Sequence, residues 1–360
     1  MPAGKRWRFR MPRSVPAGTV IVMFPRIRLS AWAVVIVLVA ACGDSASTTT
    51  ADHGLADAEV ATLRTLQEVD GYPLYTMNHL APDPDVEYAA ALQHSQVGGG
   101  EWACSLFAAL GDGGARVVGR NFDWDFSPAL LLFNDPPDGF ASVSMVDITY
   151  LGFSGSLSAD LEEKPLQDLQ GLLDAPLIPF DGMNEAGLAV GMAAVPPGGV
   201  AADPGKGTVD SLGIIRIVLD HAGDVDEAIS LFHQYNIDFE GQTPLHYLLA
   251  DVSGDSALVE YYRGEIRVVR SETPWHQATN FLVSEPGPAA GRCDRYDVIS
   301  AELGATGGDL SPGGAMELLS RVAQPHTQWS IVYGLDGGDI RVVMGRDYGR
   351  VHTFGLEMAR

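Results

Sequence analysis

Three observations predict an α+β fold built in layers. Strands come in groups rather than alternating with single helices, two helix pairs at 210–235 and 294–323 separate those groups, and the chain closes on three strands from Trp329 to Phe354. A doubly wound parallel sheet would instead alternate strand and helix unit by unit. With 46% hydrophobic residues, 360 positions are enough to bury a large core. No internal repeat is evident.

In chain order, Arg26 and Arg28 precede an apolar run from Ala31 to Ala41 that ends at Cys42 and a Ser/Thr tract, the pattern of a secretory signal. Val39-Ala-Ala-Cys42 resembles a bacterial lipoprotein box. Cys42 is therefore expected to carry lipid and to anchor an exported protein on the membrane. After a polar tether, Asp57 to Val69 has helical apolar spacing with Asp57 as its cap, and Tyr72 to His79 is apolar enough to pack on a neighbour. Gly98-Gly-Gly100 is a flexible approach to Cys104. Cys104 to Leu110 and Ala115 to Trp124 form a hairpin through Gly111-Asp-Gly-Gly114. Ser142–Tyr150 and Gly187–Met192 read as strands; Asp210–His221 and Asp224–Tyr235 read as helices, the second capped by Asp224. His246–Asp251, Ala257–Tyr262 and Glu265–Arg270 form a meander, followed by helices at Asp294–Leu303 and Ser311–Ala323.

Cys104 carries the chemistry. A thiol is the best side-chain nucleophile near neutral pH, but it needs a base to take its proton and a positive neighbour to favour the thiolate. The return strand of the hairpin brings Arg120 and Asp123 to the end that faces Cys104. No histidine is close in sequence, and no Gly-x-Ser-x-Gly elbow exists. One remedy is for Cys104 to become the first residue of a processed chain, because a free α-amine, with a pKa of about 7.7–8.0, is a competent base. The competing role for Cys104 is a buried thiol or a disulfide with Cys293.

The net charge of −23 argues against a nucleic-acid groove. The nine histidines and Asp123-Trp-Asp125 show no metal-ligand spacing, so neither metal nor cofactor is expected. Phe126, Leu130 to Phe133 and Phe140 suit either an apolar acyl pocket or the core. Pro196-Pro-Gly-Gly199 and Asp203-Pro-Gly-Lys-Gly207 read as a long loop, either a pocket rim or a plain connector.

Four blocks, in order, are Cys104 with Gly119-Arg-Asn-Phe-Asp123, Asp181-Gly-Met-Asn-Glu-Ala-Gly-Leu188, Ala278-Thr-Asn280 and Asp294-Arg-Tyr296. Together they resemble the N-terminal-nucleophile (Ntn) hydrolases of the choloylglycine hydrolase, penicillin V acylase and acyl-coenzyme A:isopenicillin N acyltransferase type. Arg120 and Asp123 stand sixteen and nineteen positions after the cysteine, as in that family. The resemblance implies a four-layer αββα sandwich. It also implies that Cys104 is the nucleophile, that Asp123 holds its α-amine, that Arg120 supports the thiolate, that Asn280 donates to the oxyanion and that Arg295 stabilises charge nearby. The sequence departs from the family at Ala194, where several members have Asn; the backbone N–H that the family aims at the oxyanion from this place is retained.

On this reading residues 1–42 are a signal peptide with a lipoprotein box, 43–103 a tether and pro-segment whose middle part docks on the catalytic domain, and 104–360 the Ntn-hydrolase domain. The expected activity is that of an autoprocessed amidase hydrolysing linear, non-peptide C–N bonds of a small N-acyl amide through an acyl-enzyme. The alternatives are acyl transfer to an amine and a catalytically silent binding lipoprotein with the same fold. The acyl and amine halves of the substrate and any homo-oligomer stay open.

Overall fold

The computed structural model describes residues 54–82, 103–199, 202–239 and 243–359. The apolar run, Cys42 and the glycines at 98–100 lie outside the described residues.

Seventeen strands are present among the described residues. They are β1 (Gln67–Asp70), β2 (Leu74–His79), β3 (Ala103–Ala109), β4 (Val117–Asp123), β5 (Ala129–Asn134), β6 (Ser142–Asp147), β7 (Asp181–Asn184), β8 (Ala189–Ala194) and β9 (Gly207–Asp210). The rest are β10 (Tyr235–Asp238), β11 (Leu245–Ala250), β12 (Ser256–Tyr262), β13 (Glu265–Arg270), β14 (Trp275–Ala278), β15 (Thr327–Gly334), β16 (Asp339–Met344) and β17 (His352–Gly355). The α-helices are α1 (Asp57–Leu63), α2 (Gly213–His221), α3 (Val225–Gln234), α4 (Asp294–Thr306) and α5 (Pro312–Val322).

A nine-stranded sheet runs β1-β2-β5-β6-β7-β8-β11-β12-β13, and a six-stranded sheet runs β14-β3-β4-β15-β16-β17. The two sheets face one another through β3 against β8 and β11. Helices α2 and α3 cover the outer face of the larger sheet, and α4 and α5 that of the smaller one. This is the αββα sandwich. Its main core lies between the sheets and beneath α2 and α3, and a second one, built around Phe107, Leu303, Leu319 and Val332, lies beneath α4 and α5.

The two sheets approach closely at the strand that carries Cys104. A Cβ added to Gly191 would come within 2.6 Å of Leu106 Cδ2, so any other residue there would force Leu106 to repack.

Several expected boundaries move, each for a local reason. The helix foreseen over 57–69 stops at Leu63, because Gln67 to Asp70 pairs with β2 instead. Its cap is Ala56, whose N–H donates to Glu59, and Asp57 is the first helical residue. The strand foreseen to Tyr150 ends at Asp147, whose carboxylate accepts from Thr149 N–H (2.9 Å) and turns the chain into a short 3-10 helix. The helix foreseen from Asp210 begins at Gly213, because the Asp210 carboxylate accepts from Leu212 and Gly213 N–H at 2.8 Å each. Asp224 caps α3 by accepting from Glu227 N–H (2.9 Å), as expected. Leu130 to Phe133 belong to β5 in the core, and Phe126 is exposed.

The segment ahead of Cys104 is part of the larger sheet. Strand β2 runs parallel to β5 while β1 pairs with β2 at the edge. Asp70 meets His352 Nε2 at 2.6 Å, and the Tyr72 hydroxyl donates to Gln328 Oε1 at 2.9 Å.

Much of the Asp181–Leu188 block is turn architecture. Gly187 sits at φ +86°, a conformation that side chains oppose. Asn184 accepts from Leu188 N–H (3.1 Å) and donates to the Leu219 and Ala222 carbonyls (3.0 and 2.7 Å), pinning the β7–β8 turn to the end of α2. Asn184→Ala strands these buried groups, and the expected cost is ~2–4 kcal/mol. A urea denaturation midpoint shift checks it; an unchanged midpoint would show that the turn does not need this amide.

Candidate active site

Strands β14, β3 and β4 are adjacent in the six-stranded sheet, and their pairing assembles most of the site. Cys104 stands opposite Phe122, Leu106 opposite Arg120 and Ala103 opposite Asp123. The hairpin spacing thus sets both charged residues beside the thiol. Asn280 lies two residues beyond the end of β14, and Arg295 occupies the first turn of α4.

Arg120 is 1% exposed. Its Nη2 donates to Cys104 Sγ at 3.7 Å, its Nε to the Met192 carbonyl at 3.1 Å, and its Nη1 to the Asp181 carboxylate. Tyr333 donates to the other Asp181 oxygen at 2.5 Å. Burial works against the guanidinium charge, yet Asp181 and Cys104 keep its pKa above the usual value. A fixed cation therefore sits against the sulfur where burial leaves it little screened by solvent.

Asp123 is fully buried. One oxygen accepts from the Thr327 hydroxyl; the other, Oδ2, has no hydrogen bond and lies 3.7 Å from Arg295 Nη1. Burial pushes this carboxyl above the usual range, and Thr327 and Arg295 oppose the shift. Asn280 and Arg295 complete the cluster. Cys104 N–H donates to Asn280 Oδ1 (2.8 Å), which also accepts from Arg295 Nη2 (2.9 Å), while Asn280 Nδ2 donates to the Ala194 carbonyl (2.9 Å). Arg295 Nη1 reaches the Cys104 carbonyl and the Ser105 hydroxyl.

All six residues singled out from the sequence, Cys104, Arg120, Asp123, Asn280, Arg295 and the backbone of Ala194, thus form one connected group. The Asn280 nitrogen, expected to face an oxyanion, spends one N–H on Ala194 and keeps the second. Cys104 and Cys293 are both free thiols, which sets the disulfide aside. The Cys104 thiol is buried, and burial raises its pKa against the pull of Arg120. Burial thus favours its protonated form.

Sequence reasoning assigned no role to Asp181, Tyr333 or Thr327. Asp181 heads a quoted block, so its position was visible, but its pairing with Arg120 crosses from one sheet to the other. Thr327 opposes Asp123 across β15 and β4, with no local signal in the sequence.

A cavity of about 460 Å³ begins one residue beyond Ala194. It is lined by Val195, Gly198, Ile237, Phe239, Leu245 and Tyr261 among others. Part of the loop read as rim or connector therefore lines this cavity, and Phe126, Leu130 to Phe133 and Phe140 do not line it. The Tyr261 hydroxyl is buried there without a hydrogen-bond partner.

With this geometry in place, residues 104–275 match the linear amide C-N hydrolases, choloylglycine hydrolase family. The chain is choloylglycine hydrolase-like, with an Ntn-hydrolase fold. A mutant of the conjugated bile acid hydrolase from Clostridium perfringens is 15% identical, with 71% of this chain and 93% of that chain covered and a TM-score of 0.51. Penicillin V acylase from Agrobacterium tumefaciens is 18% identical, with 67% and 83% covered and a TM-score of 0.47. No curated protein matches the sequence. The family match makes this chain a hydrolase of linear, non-peptide C–N bonds, and its matched stretch begins at Cys104.

Asp181 has a measurable role in this hydrolase. Asp181→Asn removes the counter-charge of a buried guanidinium and is expected to cost ~3–5 kcal/mol. Denaturant unfolding reads that loss directly; a change under ~1 kcal/mol would mean that Arg120 is held adequately by Met192 and Cys104.

Proposed function

We propose that the hydrolase is an autoprocessed cysteine amidase whose mature catalytic chain begins at Cys104 and which cleaves N-acyl amides. The observation that carries this reading is the buried Asp123 Oδ2 without a hydrogen bond, in the cluster where Asn280 Oδ1 already accepts from Cys104 N. A freed α-ammonium gains two further donors, and Asp123, paired with Ala103 across β3 and β4, has an oxygen without one. Arg120 meanwhile favours the anionic sulfur.

Processing starts when the Cys104 sulfur attacks the Ala103 carbonyl carbon. The Ala103–Cys104 C–N bond breaks as an S–acyl bond forms, the cysteine nitrogen takes a proton, and water then hydrolyses the thioester. In turnover the α-amine accepts the thiol proton and the thiolate adds to the amide carbonyl. The tetrahedral oxyanion collapses with transfer of that proton to the leaving amine, and water, deprotonated by the α-amine, releases the acid. The Ala194 N–H and the second Asn280 N–H supply oxyanion donors, each worth ~2.7–4 kcal/mol by analogy with measured cases. An apolar acyl group suits the cavity beyond Ala194. The segment before the cut stays bound through β2, whose backbone is paired on both sides, and through the Asp70–His352 contact.

Intact-mass and N-terminal sequencing test this reading. The wild type is expected as two co-eluting chains, one starting at Cys104, and Cys104→Ala as a single uncut, inactive chain. Cys104→Ser is expected to cut slowly and to hydrolyse amides poorly. An active preparation that runs uncut through Ala103 and Cys104 overturns the mechanism.

Self-cleavage should also depend on pH. The precursor thiol has a pKa raised by burial, so its thiolate fraction grows about tenfold per pH unit until that raised pKa is reached. Cleavage of freshly purified precursor should therefore accelerate between pH 6 and 8.5 or so, starting from the ordinary cysteine value as the reference. A rate independent of pH over that range speaks against the thiolate as the attacking form.

A further inference from the structure

A buried carboxylate beneath the Asn280 loop takes no part in the chemistry above. Glu260, on β12, has no exposed surface. It accepts from the backbone N–H groups of Val283 (2.8 Å) and Ser284 (2.7 Å), and His246 Nδ1 on neighbouring β11 faces it at 3.0 Å, also wholly buried. Burial disfavours its charge, but His246 and Ser284 outweigh this and hold its carboxyl below the usual range. His276 on β14 and Tyr296 on α4 are also close by; burial pushes the His276 imidazole down to about 4, so it stays neutral and brings no cation to Glu260.

Placing a carboxylate here is expensive in desolvation. What it secures is one stretch of backbone. Strand β14 holds the chain up to Ala278 by pairing with β3 in the six-stranded sheet, and Glu260 holds Val283 and Ser284 from the nine-stranded sheet. Arg292 adds a contact to the Leu282 carbonyl (3.0 Å). Asn280 lies between the two holds, and its amide is shared among Cys104 N, Arg295 and the Ala194 carbonyl. A displacement of about 1 Å in such a group can cost about a hundredfold in rate.

We infer that Glu260, backed by His246, is a positioning residue of the hydrolase, fixing the Asn280 amide against the nucleophile from the opposite sheet. It touches neither substrate nor the reacting atoms. The catalytic arm of the test rests on the proposed function.

The variants are Glu260→Gln, His246→Leu and His246→Asn, the last keeping an N–H donor where Nδ1 stands. The readouts are kcat and KM on an N-acyl amide hydrolysed by the wild type, and amide hydrogen exchange at Val283 and Ser284. Glu260→Gln and His246→Leu should lower kcat ~10–100-fold with KM within ~3-fold, and speed exchange at both amides. His246→Asn should restore kcat to within ~3-fold of the wild type. Unchanged kcat in folded Glu260→Gln and His246→Leu, or equal losses in the Leu and Asn variants, overturns the inference. If Glu260→Gln does not fold, the His246 pair decides. A wild type that hydrolyses no amide fails the proposed function instead, and exchange then decides this inference: unchanged protection in His246→Leu overturns it.

Discussion

The guanidinium of Arg120 joins the two sheets at Cys104, and most of the site depends on where it is held. It rises from β4 in the six-stranded sheet and is bound by Asp181 on β7 and the Met192 carbonyl on β8 in the nine-stranded one. Its Nη2 faces the Cys104 and Met192 sulfurs. A charge this deeply buried is tolerable only with a full set of partners. The pairing therefore fixes the spacing of the sheets as well as the field at the thiol. Gly191 meets the same constraint from the steric side, since a Cβ there would press on Leu106 of the facing sheet.

Around that fixed point the other groups divide their work by chemistry. Asn280 and Arg295 act on the backbone of Cys104, one accepting from its N–H and the other donating to its carbonyl. They hold the residue's main chain while Arg120 addresses its side chain. Asp123 keeps one oxygen satisfied by Thr327 and the other without a hydrogen bond. An unsatisfied buried carboxylate oxygen is unfavourable, and such groups tend to mark places where a donor arrives during function. A new amine at Cys104 is the donor whose chemistry fits.

The parts of the fold and site legible in the sequence were those set by local spacing. A hairpin with a short turn fixes register, so Cys104, Arg120 and Asp123 could be brought together by counting along two strands. The Asp224 cap and the β11–β13 meander were readable for the same reason. What depends on pairing between distant segments was not. Gln67 to Val69 carries helical apolar spacing, yet pairing with β2 makes it a strand. The β2–β5 contact is parallel and joins segments separated by the hairpin that carries Cys104. Asp181, Tyr333 and Thr327 reach the site only through inter-strand and inter-sheet contacts. The family resemblance supplied Asn280 and Arg295, whose neighbours in the chain would otherwise suggest a loop and a helix surface.

The position of Ala103 explains why the proposed cut need not dismantle the fold. Ala103 is the first residue of β3 and is paired with Asp123 at the end of β4, so the Ala103–Cys104 bond lies at the start of a strand. Cleavage there would leave Cys104 to Ala109 paired with β4, and Leu106 to Ala109 paired with β14 as well. Upstream, β2 keeps its bonds to β5, and Asp70 and Tyr72 keep theirs to His352 and Gln328. Those links belong to the sheet and to side chains, not to the severed peptide. The chain connection could therefore be lost while both pieces retain most of their burial, and the charge created by the proposed cut would arise next to the residue paired with Asp123, whose Oδ2 lacks a hydrogen bond.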